Sequence, residues 1–459
     1  MKLHSNPLNS LKFTHANLVL IFILTAALVM GLMRLQKDGI RPPAPDGYAR
    51  YALVLATTGV YSSQVKEARP TSGFGRAPGY PFFLAAMVML DEQYKNYLKC
   101  HYLEKINTCS FNGGKIVYVQ ITMIAISVFL IYLTARYLGA PVVISALLCL
   151  FVLYPLVKEV TLYRASEALA LPLFSAITYG LACWYTGRFR LFAALGTGAA
   201  LGALALTRPA FLYLIPFVAL SIVLLQPRTM NVAFPKRLLC AFVICVVSIA
   251  VVTPWMYRNF SNFDKFTIGS SGVIGVLSLR AQYNQMTLPE GLCAMVYWTH
   301  DFGDTLARKI CRKEVWERFD FSSPNSYREL SDRNLSEIYK STSSEKDVKE
   351  ALLQEIFDKP LKHLLVSIPI AWRGMGSLLW YLPFILIGSL LLVARREWWT
   401  FGIFIPSLFV LFFHAGITHF RERYGIPMIY GLAPVAAVGC EWVFIKMKNT
   451  VAQPGKPNI

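Results

Sequence analysis

Ten apolar stretches of 16 to 22 residues, nearly free of charge, dominate this 459-residue sequence. A helix needs about 20 mostly apolar residues to cross the hydrocarbon core of a bilayer, with a range of roughly 17 to 25. The pattern therefore predicts an all-α polytopic membrane protein with about ten transmembrane helices, within a range of roughly ten to twelve. The predicted spans are 17–33, 116–137, 141–157, 168–185, 191–206, 210–225, 238–255, 378–394, 400–416 and 425–445.

The composition excludes several other classes of protein. Hydrophobic residues make up 55% of the chain and charged residues only 15%, whereas about a quarter of the residues in an average soluble domain are charged. A soluble enzyme, a secreted disulfide scaffold and a disordered protein are therefore excluded. The sequence has no internal repeat, which disfavours a transporter built from inverted repeats.

The net charge of +19 is explained by the bilayer rather than by nucleic acid. With the N-terminus in the cytoplasm, the inner connections hold 13 basic residues and two acidic ones. The other 32 basic and 24 acidic residues lie outside, mostly within 34–115 and 256–377. Because cytoplasmic loops carry an excess of Lys and Arg, we predict that both termini are cytoplasmic, and we expect no nucleic-acid partner.

This topology predicts three parts of the chain. Residues 1–257 form a membrane module that includes the outer loop 34–115, residues 258–377 form an extracytoplasmic cap, and residues 378–459 form a three-span hairpin with a cytoplasmic tail. The first apolar stretch also has the length of a signal peptide, but Met-Arg-Leu-Gln at 33–36 is a poor cleavage site. We therefore interpret it as the first span.

Both long outer segments contain predicted helices. In the first, the stretches 47–60 and 81–90 are too short to span a bilayer and are interpreted as helices that lie along the membrane surface. In the second, an amphipathic helix over 350–357 ends before Pro360.

Four of the nine cysteines lie in these outer segments. Cys100 and Cys109 share the first segment, and Cys293 and Cys311 share the second. Each pair can form a local disulfide in an oxidising compartment, and the sequence leaves both pairings open. The spacing does not fit a zinc site.

Polar residues collect where predicted spans meet the outer side. Because a charge at bilayer depth is costly unless it is paired or functional, these residues predict one cavity at the outer interface. They are Asp46, Arg76, the 158–167 turn that contains Arg164, Arg208, Arg258 and the cluster Arg421-Glu422-Arg423.

Each of these side chains also has an ordinary structural interpretation. Asp46 can project into the cavity or cap the helix that starts after it, and Glu167 begins a span, where the helix N-terminus favours its charge. Arg76 and Arg258 can contact lipid head groups, or they can bind a phosphate through bidentate hydrogen bonds. A lipid-linked phosphate would be such a ligand.

Two histidines, His414 and His419, lie near the outer end of the ninth predicted span. They can bind a metal or assist proton transfer, but ordinary packing at the interface is the simpler interpretation.

Six short motifs occur in order along the chain: Asp46-Gly47-Tyr48, Gly75 to Pro81, Ser166-Glu167-Ala168-Leu169, Thr207-Arg208-Pro209, Pro254-Trp255 with Arg258-Asn259, and Arg423-Tyr424 with Pro427. Their order and spacing resemble those of the GT-C glycosyltransferases that use polyprenyl-phosphate sugars. That superfamily contains the protein O-mannosyltransferases and the aminoarabinose transferases that act on lipid A. The resemblance runs from about residue 17 to residue 440, and it depends on the order of motifs that are weak one by one.

The resemblance implies a GT-C-like helix bundle with interfacial helices in the first outer loop and a large outer loop before the last three spans. It implies an active site on the outer side of the membrane. There the enzyme would transfer a sugar, with inversion, from a polyprenyl-phosphate donor to a lipid, glycan or protein acceptor.

Roles for individual residues follow from the matching motifs. Asp46 would act as the general base or orient the acceptor, with Glu167 as the second catalytic acid. Arg76 would bind the donor phosphate, with Arg258 and Arg423 as weaker helpers. The cavity would be lined by Tyr48, Tyr80, Arg164 and Arg208.

No cofactor is expected to be required. The phosphate is already a good leaving group, and the first loop has Asp46-Gly47 where some relatives have an acidic pair. Because one carboxylate is a poor site for a divalent cation, we predict no metal ligands.

The sequence therefore predicts a glycosyltransferase of the cytoplasmic (inner) membrane. The second hypothesis is a polymerase or ligase of lipid-linked glycans, which would have essential arginines and a histidine in the late outer loop and would not need Asp46. The third is a flippase or transporter, which would need charged residues inside the spans, where the sequence has few.

Overall fold

The computed structural model describes residues 13–38, 47–104, 109, 114–160, 166–187, 190–226, 232–269, 273–341 and 344–452. These residues form helices and their connections, without a strand. By compactness the chain divides into two units. Unit 1 comprises Met1–Gly269, Tyr381–Pro406 and Ile429–Ile459, and unit 2 comprises Ser270–Trp380 and Ser407–Met428.

Among the described residues, unit 1 begins with ten helices. They are α1 (Phe13–Asp38), α2 (Tyr48–Thr58), α3 (Gly79–Leu90), α4 (Glu92–Lys99), α5 (Lys115–Tyr137), α6 (Val142–Val160), α7 (Glu167–Tyr185), α8 (Arg190–Thr207), α9 (Leu214–Leu224) and α10 (Phe234–Phe263). Short π-helical and 3-10 segments occupy Cys100–Glu104 and Pro209–Tyr213.

Unit 2 begins with seven shorter helices. They are α11 (Val273–Tyr283), α12 (Leu288–Tyr297), α13 (Gly303–Ile310), α14 (Lys313–Trp316), α15 (Tyr327–Ser341), α16 (Glu345–Phe357) and α17 (Pro360–Met375). After the 3-10 segment Gly376–Tyr381, α18 (Leu382–Ala394) belongs to unit 1, and α19 (Thr400–Ile417) contributes to both units. The chain ends with α20 (Glu422–Gly425) in unit 2, the 3-10 turn Ile426–Met428, and α21 (Ile429–Ala452) in unit 1.

Seven helical segments of the described chain are long and apolar enough to cross a membrane. They are Ala16–Arg34, Lys115–Tyr137, Glu167–Tyr185, Arg190–Thr207, Phe234–Phe263, Thr400–Ile417 and Glu422–Lys448. Pro360–Met375 and Leu378–Ala394 meet the same criterion only as a pair, and Val142–Val157 and Pro209–Leu224 are shorter apolar helices. All ten predicted stretches coincide with one of these segments, so the all-α polytopic fold is confirmed.

Two helices differ from the predicted pattern. Helix α10 continues to Phe263, well past the predicted end at residue 255, and therefore carries Arg258 within a helix. Helix α17 was not predicted, because Pro369 and Arg373 interrupt its apolar sequence. The predicted helices 47–60, 81–90 and 350–357 are present as α2, α3 and the end of α16.

Helix α8 packs against both α7 and α10 in unit 1. A Cβ atom added to Gly198 would lie 2.9 Å from the carbonyl oxygen of Ile244, and one added to Gly202 would lie 2.7 Å from that of Ser248. The hydroxyl of Ser248 donates to the Gly198 carbonyl at 2.9 Å. Small residues four positions apart let transmembrane helices approach closely, and here they fix α8 against α10.

A small apolar cluster closes one end of unit 1 beneath the connection between α2 and α3. Ala77 from this connection packs with Ala205 of α8, Val252 of α10 and Ile268. The connection therefore rests on the C-terminal ends of α8 and α10.

Unit 2 has its own core. Leu277 and Ala281 on α11 pack against Val348, Leu352 and Ile356 on α16. Most of the predicted cap 258–377 lies in this unit, together with residues 407–428 from the predicted C-terminal hairpin.

Both local disulfides that the sequence left open are present. Cys100 pairs with Cys109 in unit 1, and Cys293 pairs with Cys311 in unit 2. Cys293 lies on α12 and Cys311 follows α13, so the second bond joins two consecutive helices.

The close contact between α8 and α10 gives a first prediction. Replacing Gly202 with Ala should lower the free energy of unfolding by about 1–3 kcal/mol, because the new methyl group overpacks the contact with Ser248. Gly196→Ala is the matched control on the same helix, where a Cβ meets no atom within 4 Å. It should be neutral or stabilising by up to about 1 kcal/mol. Thermal unfolding in detergent measures both, and equal effects would contradict the packing argument.

Candidate active site

Tyr48 lies at the centre of a polar cluster at one end of unit 1. It is the first residue of α2, directly after Gly47, whose backbone has φ 81°. The Arg76 guanidinium carbon is 5.2 Å from the centroid of the Tyr48 ring, and the Tyr80 ring meets it edge-on at 5.5 Å. A Cβ on Gly47 would be 4.0 Å from Arg76 Nε. Gly47 and Tyr48 of this motif therefore lie beside Arg76.

The backbone on either side of Arg76 is held by specific contacts. The Tyr61 hydroxyl donates to the carbonyl oxygens of Arg76 and Ala77, at 2.9 Å and 3.3 Å. A Cβ on Gly79 would lie only 2.6 Å from Thr207 Oγ1. The glycine therefore allows the start of α3 to approach the end of α8, where Arg208 follows.

Arg208 and Glu167 form a buried ion pair beside Tyr48. Glu167 is the first residue of α7 and Arg208 directly follows α8, so the two consecutive, packed helices bring both residues to the same end of unit 1. Arg208 Nη2 contacts Glu167 Oε1, with the side chains 13% and 7% exposed. Arg208 Nε also donates to Ser166 Oγ at 3.1 Å.

The charges around Tyr48 do not ionise it. Burial raises the pKa of Tyr48 above its ordinary value of 10.0, although Arg208, Arg76 and a hydrogen bond with Ser166 lower it. The phenol is therefore protonated at neutral pH. Two guanidinium groups and one phenolic O–H thus converge, which is a set of donors suited to a phosphate or a sugar oxygen.

Tyr80, a predicted cavity residue, is fully buried. Its hydroxyl accepts a hydrogen bond from Gln120 Nε2 of α5 at 3.4 Å. This contact links the Tyr48 cluster to a third long helix. The signal for Gln120 in the sequence was only that it is polar within an apolar span.

Arg258 contacts the connection between α2 and α3, which carries Arg76. Its Nη1 donates to the Gly73 carbonyl and to Asn259 Oδ1, both at 2.7 Å. Its guanidinium carbon lies 4.7 Å from the Trp255 ring and 5.7 Å from the Tyr61 ring. In this geometry Arg258 fixes the segment that carries Arg76, and its predicted role as a helper for the donor phosphate or for the shape of the cavity stays a prediction.

The structure does not assign the other three predicted site residues to this cluster. Asp46 and Arg164 are outside the described residues, so their predicted roles stay predictions. Arg423 lies on α20 in unit 2, where Arg373, His419 and Arg421 are its neighbours. Arg373 was not among the predicted site residues, because the helix that carries it was not predicted.

No group of three or more His, Cys, Asp or Glu side chains that could hold a metal ion occurs in the described part of the chain. Since Asp46 is not among these residues, independence of metal stays a prediction.

Comparison with known proteins finds a structural likeness. No family model and no curated protein matches this chain. Among solved structures, the chain is similar to the crystal structure of ArnT from Cupriavidus metallidurans bound to undecaprenyl phosphate, at 15% sequence identity and a TM-score of 0.38. The match covers 96% of this chain and 81% of that chain. At this identity and TM-score, the likeness does not define the site.

The buried ion pair gives a second prediction. Replacing either Glu167 or Arg208 with Met should cost about 3–5 kcal/mol of stability, because the remaining charge is left buried. Replacing both should cost much less than the two single changes together, since no unpaired charge remains.

A double-mutant cycle by thermal unfolding measures this coupling. The exposed pair Glu92–Lys95, with N···O 3.2 Å, is the control and should couple by less than about 1 kcal/mol. Additive effects at Glu167 and Arg208 would show that the pair does not hold the site together.

Proposed function

We propose that this protein is an integral membrane glycosyltransferase that transfers a sugar, with inversion, from a polyprenyl-phosphate donor to a lipid, glycan or protein acceptor. The observation that carries the proposal is the meeting of Arg76, Tyr48 and Arg208 at one end of the apolar helices of unit 1. The ordered motifs that resemble GT-C glycosyltransferases support it independently.

The proposed reaction is a single displacement. The acceptor hydroxyl oxygen forms a bond to the anomeric carbon of the sugar from the face opposite the phosphate, which gives inversion. The bond between that carbon and the phosphate oxygen breaks, and the electron pair leaves with the polyprenyl phosphate. The acceptor proton passes to the Asp46 carboxylate as general base.

Cationic side chains stabilise the charge that develops on the departing phosphate. Arg76 is the proposed direct contact, because its guanidinium lies against Tyr48 without a carboxylate partner among the described residues. The protonated Tyr48 hydroxyl can donate to the donor phosphate or to the sugar.

Glu167 and Arg258 are given supporting roles in this mechanism. Glu167 is paired with Arg208, so we assign it to holding that arginine in place rather than to accepting the acceptor proton. Arg258 is bound to the Gly73 carbonyl and positions the segment that carries Arg76. No cofactor is proposed for the displacement or for the proton transfer to Asp46.

The proposed location is the outer side of the cytoplasmic membrane, with both termini in the cytoplasm. The two disulfides support it, because both lie in the segments predicted to be outside and disulfides persist in oxidising compartments. The apolar surfaces of the unit 1 helices would contact the membrane lipids and the polyprenyl chain. No nucleic acid partner is proposed.

A second candidate function is a polymerase or ligase of lipid-linked glycans. It is favoured by one observation, the grouping of Arg373, Arg421, Arg423 and His419 in unit 2, since that hypothesis expects arginines and a histidine late in the chain. The two candidates differ in whether Asp46 is required.

The role of Asp46 gives a third prediction. Mass spectrometry of membrane glycolipids and glycans, from cells with and without this protein, identifies the sugar that it adds. Asp46→Asn should lower restoration of that sugar by about 10²–10⁴-fold, the usual contribution of a general base. Asp38→Asn, in the same predicted loop, is the control. Undiminished transfer by Asp46→Asn would favour the polymerase or ligase.

The role of Arg76 gives a fourth prediction. Arg76→Ala should lower transfer by about 10²–10³-fold, because charge on the leaving phosphate is no longer stabilised, and Arg76→Lys should recover part of the loss. Arg69→Ala, an exposed arginine in the same connection, should transfer normally. The measurement is the same restoration assay, with expression and unfolding temperature checked for each variant. Equal transfer by Arg76→Ala and Arg69→Ala would remove Arg76 from the mechanism.

A further inference from the structure

Two arginines of unit 2 converge on one aromatic ring. Arg373 lies near the end of α17, and Arg421 precedes α20. Their guanidinium carbons are 5.2 Å and 4.9 Å from the centroid of the Phe321 ring. Arg423 follows on α20, so three cations lie within one small part of the unit.

The neighbours of Arg373 supply further hydrogen-bond donors. Its guanidinium carbon lies 4.7 Å from the Trp298 ring, and its Nη1 donates to the Tyr283 hydroxyl at 2.9 Å. The indole N–H of Trp298, on a side chain only 5% exposed, and Arg421 Nε are both buried without an acceptor among the described residues. Buried donors without an acceptor are uncommon and call for an explanation.

No acidic side chain of the described chain neutralises Arg373 or Arg421 through an ion pair. Glu422 is adjacent in sequence to Arg421, but its carboxylate contacts His300 Nδ1 at 3.3 Å. Like charges that are brought together and partly buried repel one another and lose solvation. An anion bound between them would offset both costs.

The titration of neighbouring groups reflects this concentration of positive charge. Burial lowers the pKa of His419 well below its usual range, and Arg421, Arg373, His414 and Arg423 lower it further. Burial, together with Arg373 and Arg423, also lowers the pKa of Arg421. His419 is therefore neutral at pH 7, and the local charge comes from the arginines.

A separate buried arginine holds the two arginine-bearing segments together. Arg280 on α11 is fully buried, and it donates to the Gly416 carbonyl at 3.2 Å and to Ser367 Oγ at 2.7 Å. It also contacts His363 Nδ1 at 3.0 Å. Ser367 and His363 lie on α17, which carries Arg373, and Gly416 lies at the end of α19, shortly before Arg421. The cations are thus held in place without relying on a ligand.

We propose that Arg373 and Arg421, with Arg423, form a binding site for a phosphate oxyanion. Two guanidinium groups can each donate two parallel hydrogen bonds to phosphate oxygens, and the Trp298 indole N–H is a further donor. The site is built from residues of unit 2 alone, whereas the Arg76 cluster is built from residues of unit 1, and the site does not depend on the proposed transfer reaction. The phosphate can be a lipid head group or a free ion.

Arginine footprinting tests this site in the unaltered full-length protein. Purified protein in nanodiscs of phosphatidylcholine is treated with phenylglyoxal, alone or with inorganic phosphate, undecaprenyl phosphate or uncharged undecaprenol, at constant ionic strength. Modification of each arginine is then measured by peptide mass spectrometry. We expect either phosphate probe to slow modification of Arg373 and Arg421 at least ~5-fold, as a ligand that occupies both guanidinium groups would, and undecaprenol to have no effect.

Arg308 is the internal control, because it is a partly exposed arginine of the same unit that already pairs with Asp320 at 3.4 Å. Its modification should not change with either phosphate probe. Protection by both probes assigns a site for compact phosphate, and protection by undecaprenyl phosphate alone assigns a lipid head-group site. Absence of protection at Arg373 and Arg421, or equal protection at Arg308, would overturn the proposal.

A variant provides a second, independent measurement. Arg373→Gln/Arg421→Gln should weaken binding of undecaprenyl phosphate at least ~10-fold in the Arg76→Ala background, whereas Arg308→Gln in that background should not. The unfolding temperature without ligand shows whether the variant is folded, and Arg373→Lys/Arg421→Lys should retain part of the binding because the charge is kept. Unchanged binding by the Gln variant would refute the site. Failure of Arg76→Ala to affect transfer would instead remove Arg76 from the proposed mechanism and leave this binding result intact.

Discussion

A charged side chain among apolar helices has to find its partner within the protein, and this constraint organises both units of the chain. Arg208 pairs with the carboxylate of Glu167, which joins the start of α7 to the end of α8. Arg258 is held by a carbonyl oxygen, an amide oxygen and three aromatic rings. Arg280 binds carbonyl oxygens, a hydroxyl and a histidine ring nitrogen instead of a carboxylate. Each of these sets of contacts also fixes the chain segment that carries the partner group.

The apolar helices could be predicted because the thickness of the bilayer sets the length of a spanning helix, and apolar stretches of that length can be recognised in the sequence. All ten predicted stretches are helical, and their ends place Glu167 and Arg208 at boundaries, as the charge pattern indicated, whereas Arg258 lies within α10. The motifs around Tyr48 and Arg76 were also informative. Glycines at 47 and 79 permit the left-handed turn and the close approach that the cluster needs.

The particular partners could not be predicted, because they depend on packing between segments that are distant in sequence. Arg258 and Gly73 are 185 residues apart, and nothing in the sequence distinguished a phosphate contact from a backbone contact for this arginine. Arg373 and Arg421 come from distant parts of the chain and meet at the ring of Phe321. Helix α17, which carries Arg373, was hidden by a proline that a helix in an apolar setting can tolerate.

The net charge of each cluster determines the charge of the phosphate that the cluster can bind best. In unit 1, the carboxylate of Glu167 neutralises one of the two arginines near Tyr48, which leaves the single positive charge of Arg76 before Asp46 is considered. A sugar monophosphate diester carries one negative charge, so such a site can bind the donor and still favour the additional charge that appears as the phosphate leaves. In unit 2, Arg373 and Arg421 have no ion-paired acid among the described residues. That cluster suits a more highly charged phosphate. Binding of a diphosphate rather than a monophosphate at this cluster would favour the ligase over the transferase.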